Sequence, residues 1–351
     1  HILLGAYRET LRLIALTGGN AAGLLLRRPL ELAYPGRFSL RASSILPAPL
    51  HLLAGLLRAD GLSFGDKLAA VGFMTRLVLR RFRIEPDVSV ATLLDGYRQP
   101  AGVRRYLWEP LCVAALNTDA RAASAQVFAT VLADSFMHRR SDSDLLIPRV
   151  DLSALFPDLA VACLQSKGAG IRFGSAVTRL AGTGHGVIVE SAASAETYAA
   201  VVCAIPPGRT NAIIDWNGHD AGIVKRQLNA FAYEAIVTCY LRYPSTVRLA
   251  HPMIGLEGPI GQWAFDRGAL GGEPGLVAVV VSAAGQLRGP DAAHLAESID
   301  AELRALMPGL PAPQAHRIIT EKRATFRCAP GLDRPAVETP IKGLFLAGDH
   351  M

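Results

Sequence analysis

Two carboxyl groups stand beside apolar runs, where burial would raise the pKa and suit each to give up a proton. They are Glu109, in Trp108-Glu-Pro-Leu111, and Asp144, in Ser143-Asp-Leu-Leu146. Each has a plainer reading: Glu109-Pro110 caps or breaks a helix, and Asp144 in Ser141-Asp-Ser-Asp144 is a loop or cap acid. Asn117 reads either as a hydrogen-bond partner for a substrate hydroxyl or as part of an Asn-Thr-Asp turn. Trp108 and Trp263 suit the wall of an apolar tunnel, and equally the inside of a core. A different kind of site is made by main chain. Gly343-Leu-Phe-Leu-Ala-Gly-Asp349 reads as a buried strand ending at Gly348, where a backbone can approach a ligand closely. Asp349 follows at the carboxyl end of that strand, the place where open α/β sheets bind ligands.

Other chemistries find no support. The nine histidines show no His-x-x-x-His or related spacing, so no metal site is expected. No Gly-x-Ser-x-Gly occurs, which removes the usual signature of a serine hydrolase of the α/β type. The five cysteines are scattered through apolar stretches without Cys-x-x-Cys, as expected of reduced core thiols.

A chain of 351 residues can form two domains with sizeable cores. Half of the residues are hydrophobic, yet no run of about 18 apolar residues suggests a spanning helix. The apolar excess fits a greasy ligand or a membrane surface, and it fits a large core equally well. The net charge of +6 comes without a Lys/Arg run or interleaved aromatics, so nucleic acid is not an expected partner. Lys67, Arg76, Arg80, Arg81 and Arg83 cluster with no acid between Lys67 and Ile84. Helical spacing puts Arg76, Arg80 and Arg83 on one face and Val71, Met74, Val78 and Phe82 on the other. That pattern describes a basic amphipathic helix for an anionic membrane, or an ordinary half-buried helix. No basic segment precedes Ile2-Leu-Leu-Gly-Ala-Tyr7, so a signal peptide is not expected. The expected location is cytoplasmic, with peripheral contact at the inner face of the cytoplasmic membrane as an option.

The elements that would position these residues follow from periodicity. Residues 2–17 read as a helix, 30–40 as strand-turn-strand, 50–83 as two helices broken around Gly61 to Gly65, and 89–140 as helices interrupted near Pro100 and Pro110. Residues 159–167 read as a helix stopping at Gly168, followed by strands at 171–180, 186–190 and 198–205. Pro206-Pro207 opens another helix. Residues 234–243, 259–265, 276–283 and 314–326 read as strands, and 291–307 as a helix. The fold class is mixed α/β. The expected divisions are a helical substrate region over 1–142, part of a cofactor domain over 143–215, a substrate-domain sheet and helix over 216–327, and a last cofactor-domain strand over 328–351.

Ile171-Arg-Phe-Gly-Ser-Ala-Val-Thr-Arg-Leu180, the run to Val201-Val-Cys-Ala-Ile-Pro206 and Gly343–Asp349 together resemble the FAD domain of flavin amine oxidases and carotenoid desaturases. Tyr106-Leu-Trp-Glu-Pro-Leu-Cys112, Ser143-Asp-Leu-Leu-Ile-Pro-Arg-Val-Asp151 and Gln262-Trp-Ala-Phe-Asp-Arg267 narrow the likeness. They resemble the squalene-associated FAD-dependent desaturases, a group understood as hydroxysqualene dehydroxylases of bacterial hopanoid pathways. The resemblance implies a Rossmann-like FAD domain with a helical and β-sheet substrate domain. It implies FAD contacts at Val177 (adenine), Ala204, Pro206, Gly348 and Asp349 (ribityl–phosphate), and at Gly5 near the flavin. It further implies an apolar C30 isoprenoid substrate whose hydroxyl is removed reductively to give squalene, with hydride from reduced flavin. The redox partner that recharges the flavin stays open. A phytoene-desaturase-like or amine-oxidase-like flavoenzyme is the alternative, and a non-catalytic isoprenoid-binding or membrane-interaction module is the second. No Gly-x-Gly-x-x-Gly after a strand stands near the start. The sequence therefore reads as an internal piece, expected to hold FAD weakly and to be inactive alone.

Overall fold

A computed structural model describes residues 2–287 and 292–351. The chain forms two compact units: residues 1–169 with 234–330, and residues 170–233 with 331–351. The breaks fall after Ala169, Tyr233 and Pro330, whereas the sequence pattern placed them at 142, 215 and 327. Residues 143–169 join the helical unit because Leu145–Pro148 is a strand there. It pairs antiparallel with Leu25–Arg28 on one side and Leu3–Leu4 on the other. The expected helix over 2–17 therefore begins only at Arg8, and Leu3-Leu4 is drawn into the sheet. Tertiary pairing overrides local helical spacing here.

Helix starts in this unit follow side-chain caps. Ser63 and Asp66 form a reciprocal capping box at the start of Phe64–Leu79. Ser89 caps Val90–Gly96, and Ser124 caps Ala125–Phe136. Phe64–Leu79 ends four residues earlier than the pattern suggested. Arg81 and Phe82 take positive φ angles of 51° and 56°, which turns the chain off the helix axis. Pro100 breaks the chain as expected, since it stands as the cap before Ala101–Val103. Pro110 does not. A π-helical turn at Arg104–Trp108 runs into Glu109–Leu116, and the wider turn lies where proline lacks an N–H. The break falls instead at Asn117, in the left-handed region with φ 44°.

Phe73, Leu77, Trp108, Cys112 and Phe128 centre the core of the helical block. A second core in the same unit lies under a five-stranded sheet. Its order is Met253–Gly255, Trp263–Asp266, Leu276–Val281, Tyr233–Arg242 and Ala315–Phe326. Helix Ala292–Leu306 covers it with Leu295, Ile299 and Leu303 at helical spacing. The strand expected over 259–265 starts only at Trp263, because Ile260 and Gly261 turn their N–H groups onto the Glu302 carboxylate.

The other unit holds a four-stranded sheet in the order Ile214–Asp215, Val177–Thr183, Gly186–Ser191 and Ala195–Tyr198. Residues 171–176, expected as strand, are irregular. Val201–Cys203 and Leu344–Leu346 pair separately, in parallel. Leu180, Cys203, Leu344 and Leu346 share one core, so the two distant segments of sequence pack together.

Candidate functional site

In the smaller unit, the register sets Leu344 opposite Val201 and Leu346 opposite Cys203, and Ala347 donates to the Cys203 carbonyl at 3.0 Å. Ala204–Pro206 and Ala347–Asp349 therefore leave the pair at the same, carboxyl, end. Pro206 caps the helix Pro207–Ile213. Gly348 has φ 149°, and a Cβ there would stand 2.6 Å from the His350 ring. The Asp349 side chain is exposed and His350 is buried edge-on to Phe231. Burial lowers the His350 pKa, so the ring is held neutral. Val177 opens its strand beside a bulge, exposed. The neighbouring strand Ile214–Asp215 reaches only Leu180 and Ala181, so the stretch before Leu180 has no partner strand on that side among the described residues. Such an open edge leaves main-chain groups available to pair.

The two candidate carboxylates of the helical unit both face arginines. Glu109 is partly exposed and pairs with Arg104 at 3.0 Å. Asp144 is buried, but Arg27 at 3.1 Å and Arg140 at 3.5 Å face it. Its neighbour Asp142 takes Arg8 at 2.5 Å. Asp142 and Asp144, buried beneath part-exposed arginines, tie Arg8 and Arg27 to residues 139–144. Gly5 belongs to the same anchor. Its N–H donates to the Asp144 carbonyl at 2.9 Å, and a Cβ would come within 1.7 Å of the Ser141 carbonyl oxygen. Packing explains that glycine without a ligand. Asn117 is engaged at both ends of its amide, donating to Thr325 Oγ1 at 2.9 Å and accepting from the Ala283 N–H at 2.6 Å. It is a strut between the helical block and the sheet.

The two tryptophans line different spaces in this unit. Trp108 is buried, donates to Gln99 Oε1 at 2.8 Å and walls a cavity of about 320 Å³. Leu30, Leu40, Leu56, Met74, Leu107 and Phe136 line the rest of its interior. Trp263 borders a polar cleft with Tyr34, Arg105 and Glu257. There Tyr106 donates to Glu257, Arg37 pairs with it at 3.1 Å, and burial raises the Tyr34 phenol pKa. This cluster escaped the sequence reading, because Glu257 lies 151 residues from Tyr106 and farther still from Arg37. So did His51, whose Nε2 meets Ser143 Oγ at 2.9 Å while Nδ1 is buried without a partner. Burial and the nearby Arg140 lower its pKa.

A family model for flavin containing amine oxidoreductases matches residues 28–351. The chain belongs to this family. It is 28% identical over 250 residues to a protein named hydroxysqualene dehydroxylase from Rhodopseudomonas palustris, covering 68% of this chain and 55% of that protein. It is 27% identical over 255 residues to one of the same name from Sinorhizobium fredii, covering 70% and 56%. The chain spans about half the length of the curated relatives it matches. Cyclohexylamine oxidase from Brevibacterium oxydans has a similar fold, with a TM-score of 0.64 at 15% identity over 99% of this chain and 81% of that one. An oxidoreductase from Methanosarcina mazei is similar too, with a TM-score of 0.62 at 14% identity over 82% and 68%. The mixed α/β fold of this flavin amine oxidoreductase is thus the expected one, and its cofactor is FAD.

Proposed function

We propose that this protein is an FAD-dependent oxidoreductase that removes the hydroxyl of hydroxysqualene and yields squalene. The observation that carries the reading is the cavity beside Trp108, whose lining is almost wholly hydrocarbon, in a chain whose named relatives are hydroxysqualene dehydroxylases. Its volume is at the lower end of the roughly 300–1,000 Å³ usual for ligand sites, enough for part of a long isoprenoid. An amine would leave its charge unpaired against such a wall. The residues at the strand ends fit the cofactor. Gly348, Asp349, Ala204 and Pro206 would hold its ribityl–phosphate portion, and the open edge at Val177 its adenine.

In the reaction, one C–O bond breaks and one C–H bond forms, and the hydroxyl takes up a proton and departs as water. Bound, reduced FAD would supply the hydride and, in becoming oxidised, release the proton that balances the departing water. The apolar wall excludes water from the carbon that reacts and orients the chain by shape. Glu109 and Asp144, tied to arginines, serve the scaffold instead of the proton transfer.

The test uses the natural protein carrying this sequence, loaded with FAD and reduced chemically without oxygen. Squalene is expected from hydroxysqualene, and no product from phytoene or from primary amines. A yellow protein that leaves hydroxysqualene untouched and desaturates phytoene would overturn the reading. The 351-residue chain alone is proposed to hold FAD weakly and to be inactive, which flavin titration checks.

A further inference from the structure

We propose that the outward faces of helices Leu50–Leu57 and Phe64–Leu79 dock on an anionic lipid bilayer, with the mouth of the apolar cavity opening into it. The first observation is concentration. Among the described residues, nine of 21 exposed large hydrophobic side chains lie between Ile45 and Leu79, a tenth of the chain. They include Ile45 at 88%, Leu79 at 78% and Phe64 at 69% exposure. Isolated exposed leucines need no explanation, whereas a contiguous set does.

The second observation is order. Leu50, Leu53 and Leu57 form one stripe on the first helix. Phe64, Leu68, Val71, Thr75, Val78 and Leu79 fall within about 100° of the circumference of the second. Leu53, Val78 and Leu79 also line the cavity, so its opening lies within this face. Neither helix is long enough to cross a bilayer, and the contact is one of lying on the surface.

The third observation is charge, and it selects the occupant. Lys67 borders the second stripe, and Arg58, Arg81 and Arg83 stand at the helix ends, whereas Arg76 and Arg80 turn away from the stripe over the Tyr97 ring. Asp60 and Asp66 are the two acids between Ile45 and Ile84, and they are bonded to Ser39 and Ser63. A symmetric pairing with a second copy would set this basic ring against itself. Anionic headgroups supply the opposite charge, and the acyl layer supplies cover for the leucines. Only the identity of the molecule that passes through the mouth rests on the function proposed above.

The 351-residue chain is sedimented with phosphatidylcholine vesicles, with and without phosphatidylglycerol. Binding to the anionic vesicles is expected. Leu53→Glu/Leu79→Glu should weaken it by about tenfold or more, and Arg58→Glu/Lys67→Glu should abolish the preference for anionic lipid. Leu164→Glu, at an exposed site in the same unit, should bind like the parent. Far-ultraviolet circular dichroism confirms that each variant is folded. No binding by the parent, or equal loss in the Leu164 variant, would overturn the proposal. So would a parent dimer that Leu53→Glu/Leu79→Glu makes monomeric without any vesicle binding. The assay needs neither flavin nor substrate. Vesicle binding by this chain, with no turnover by the FAD-loaded natural protein that carries it, would remove the proposed function and keep the docking face, and turnover by that protein without vesicle binding would do the reverse.

Discussion

The strand ends of the smaller unit and the cavity of the larger one are built by different parts of the chain. At the strand ends the features are main chain: a glycine at φ 149°, two parallel strands finishing together and an open strand edge at Val177. In the cavity they are side chains from helices, strands and loops between Leu30 and Met137, and the backbone is hidden behind them. A main-chain site tolerates wide changes of side chain around it. A side-chain cavity changes with every substitution in its wall or its support.

The strongest test of that contrast is Phe73→Ala. Phe73 is fully buried and packs edge-on against Trp108, the inner wall of the cavity. A loss of about 3–5 kcal/mol is expected in urea unfolding. A loss under about 1 kcal/mol would mean that the cavity is not held by its supporting core. Asn117→Ala comes next, at about 1–3 kcal/mol, because it removes two interior hydrogen bonds and leaves a left-handed position to alanine. Asn117→Gly separates the two causes, since it relieves the backbone and still lacks the bonds. At the strand ends, Gly348→Ala should cost about 1–2 kcal/mol and, in the FAD-loaded natural protein that carries this sequence, weaken FAD retention, read by flavin fluorescence. Retention equal to the parent would show that the strand end is not a main-chain contact.

Acid sensitivity gives a smaller effect. The pKa values of His51 and His350 are lowered by burial, below the 6.5 of the unfolded chain. Below pH 6.5 the unfolded state binds protons that the native state refuses, so stability is full above that pH and falls as pH drops through it. His51→Gln should flatten the part of this slope that belongs to the larger unit, as thermal melts across pH 5–7 would record. Smallest is thiol labelling. Burial pushes Cys112 and Cys239 up to about 12, and Cys203 and Cys328 are also buried. Cys163, half-buried, should therefore label first in the native protein.

Features set by neighbours in the chain were legible. Pro100 interrupts its helical stretch, Pro206-Pro207 opens its helix, Pro35-Gly36 turns its hairpin, and the strand into Gly348 lies where its pattern placed it. These depend on hydrogen bonds and φ angles spanning a few residues, which sequence spacing encodes directly. Features set by distant residues were not. Leu3-Leu4 became a strand because Leu145-Leu146 lies beside it, and Asp144 became an anchor because Arg27 reaches it across 117 residues. Glu109 was left near water, and Asn117 was fixed between Thr325 and Ala283. Burial and ion pairing are properties of a place in space, and the chain acquires them only when its far segments meet.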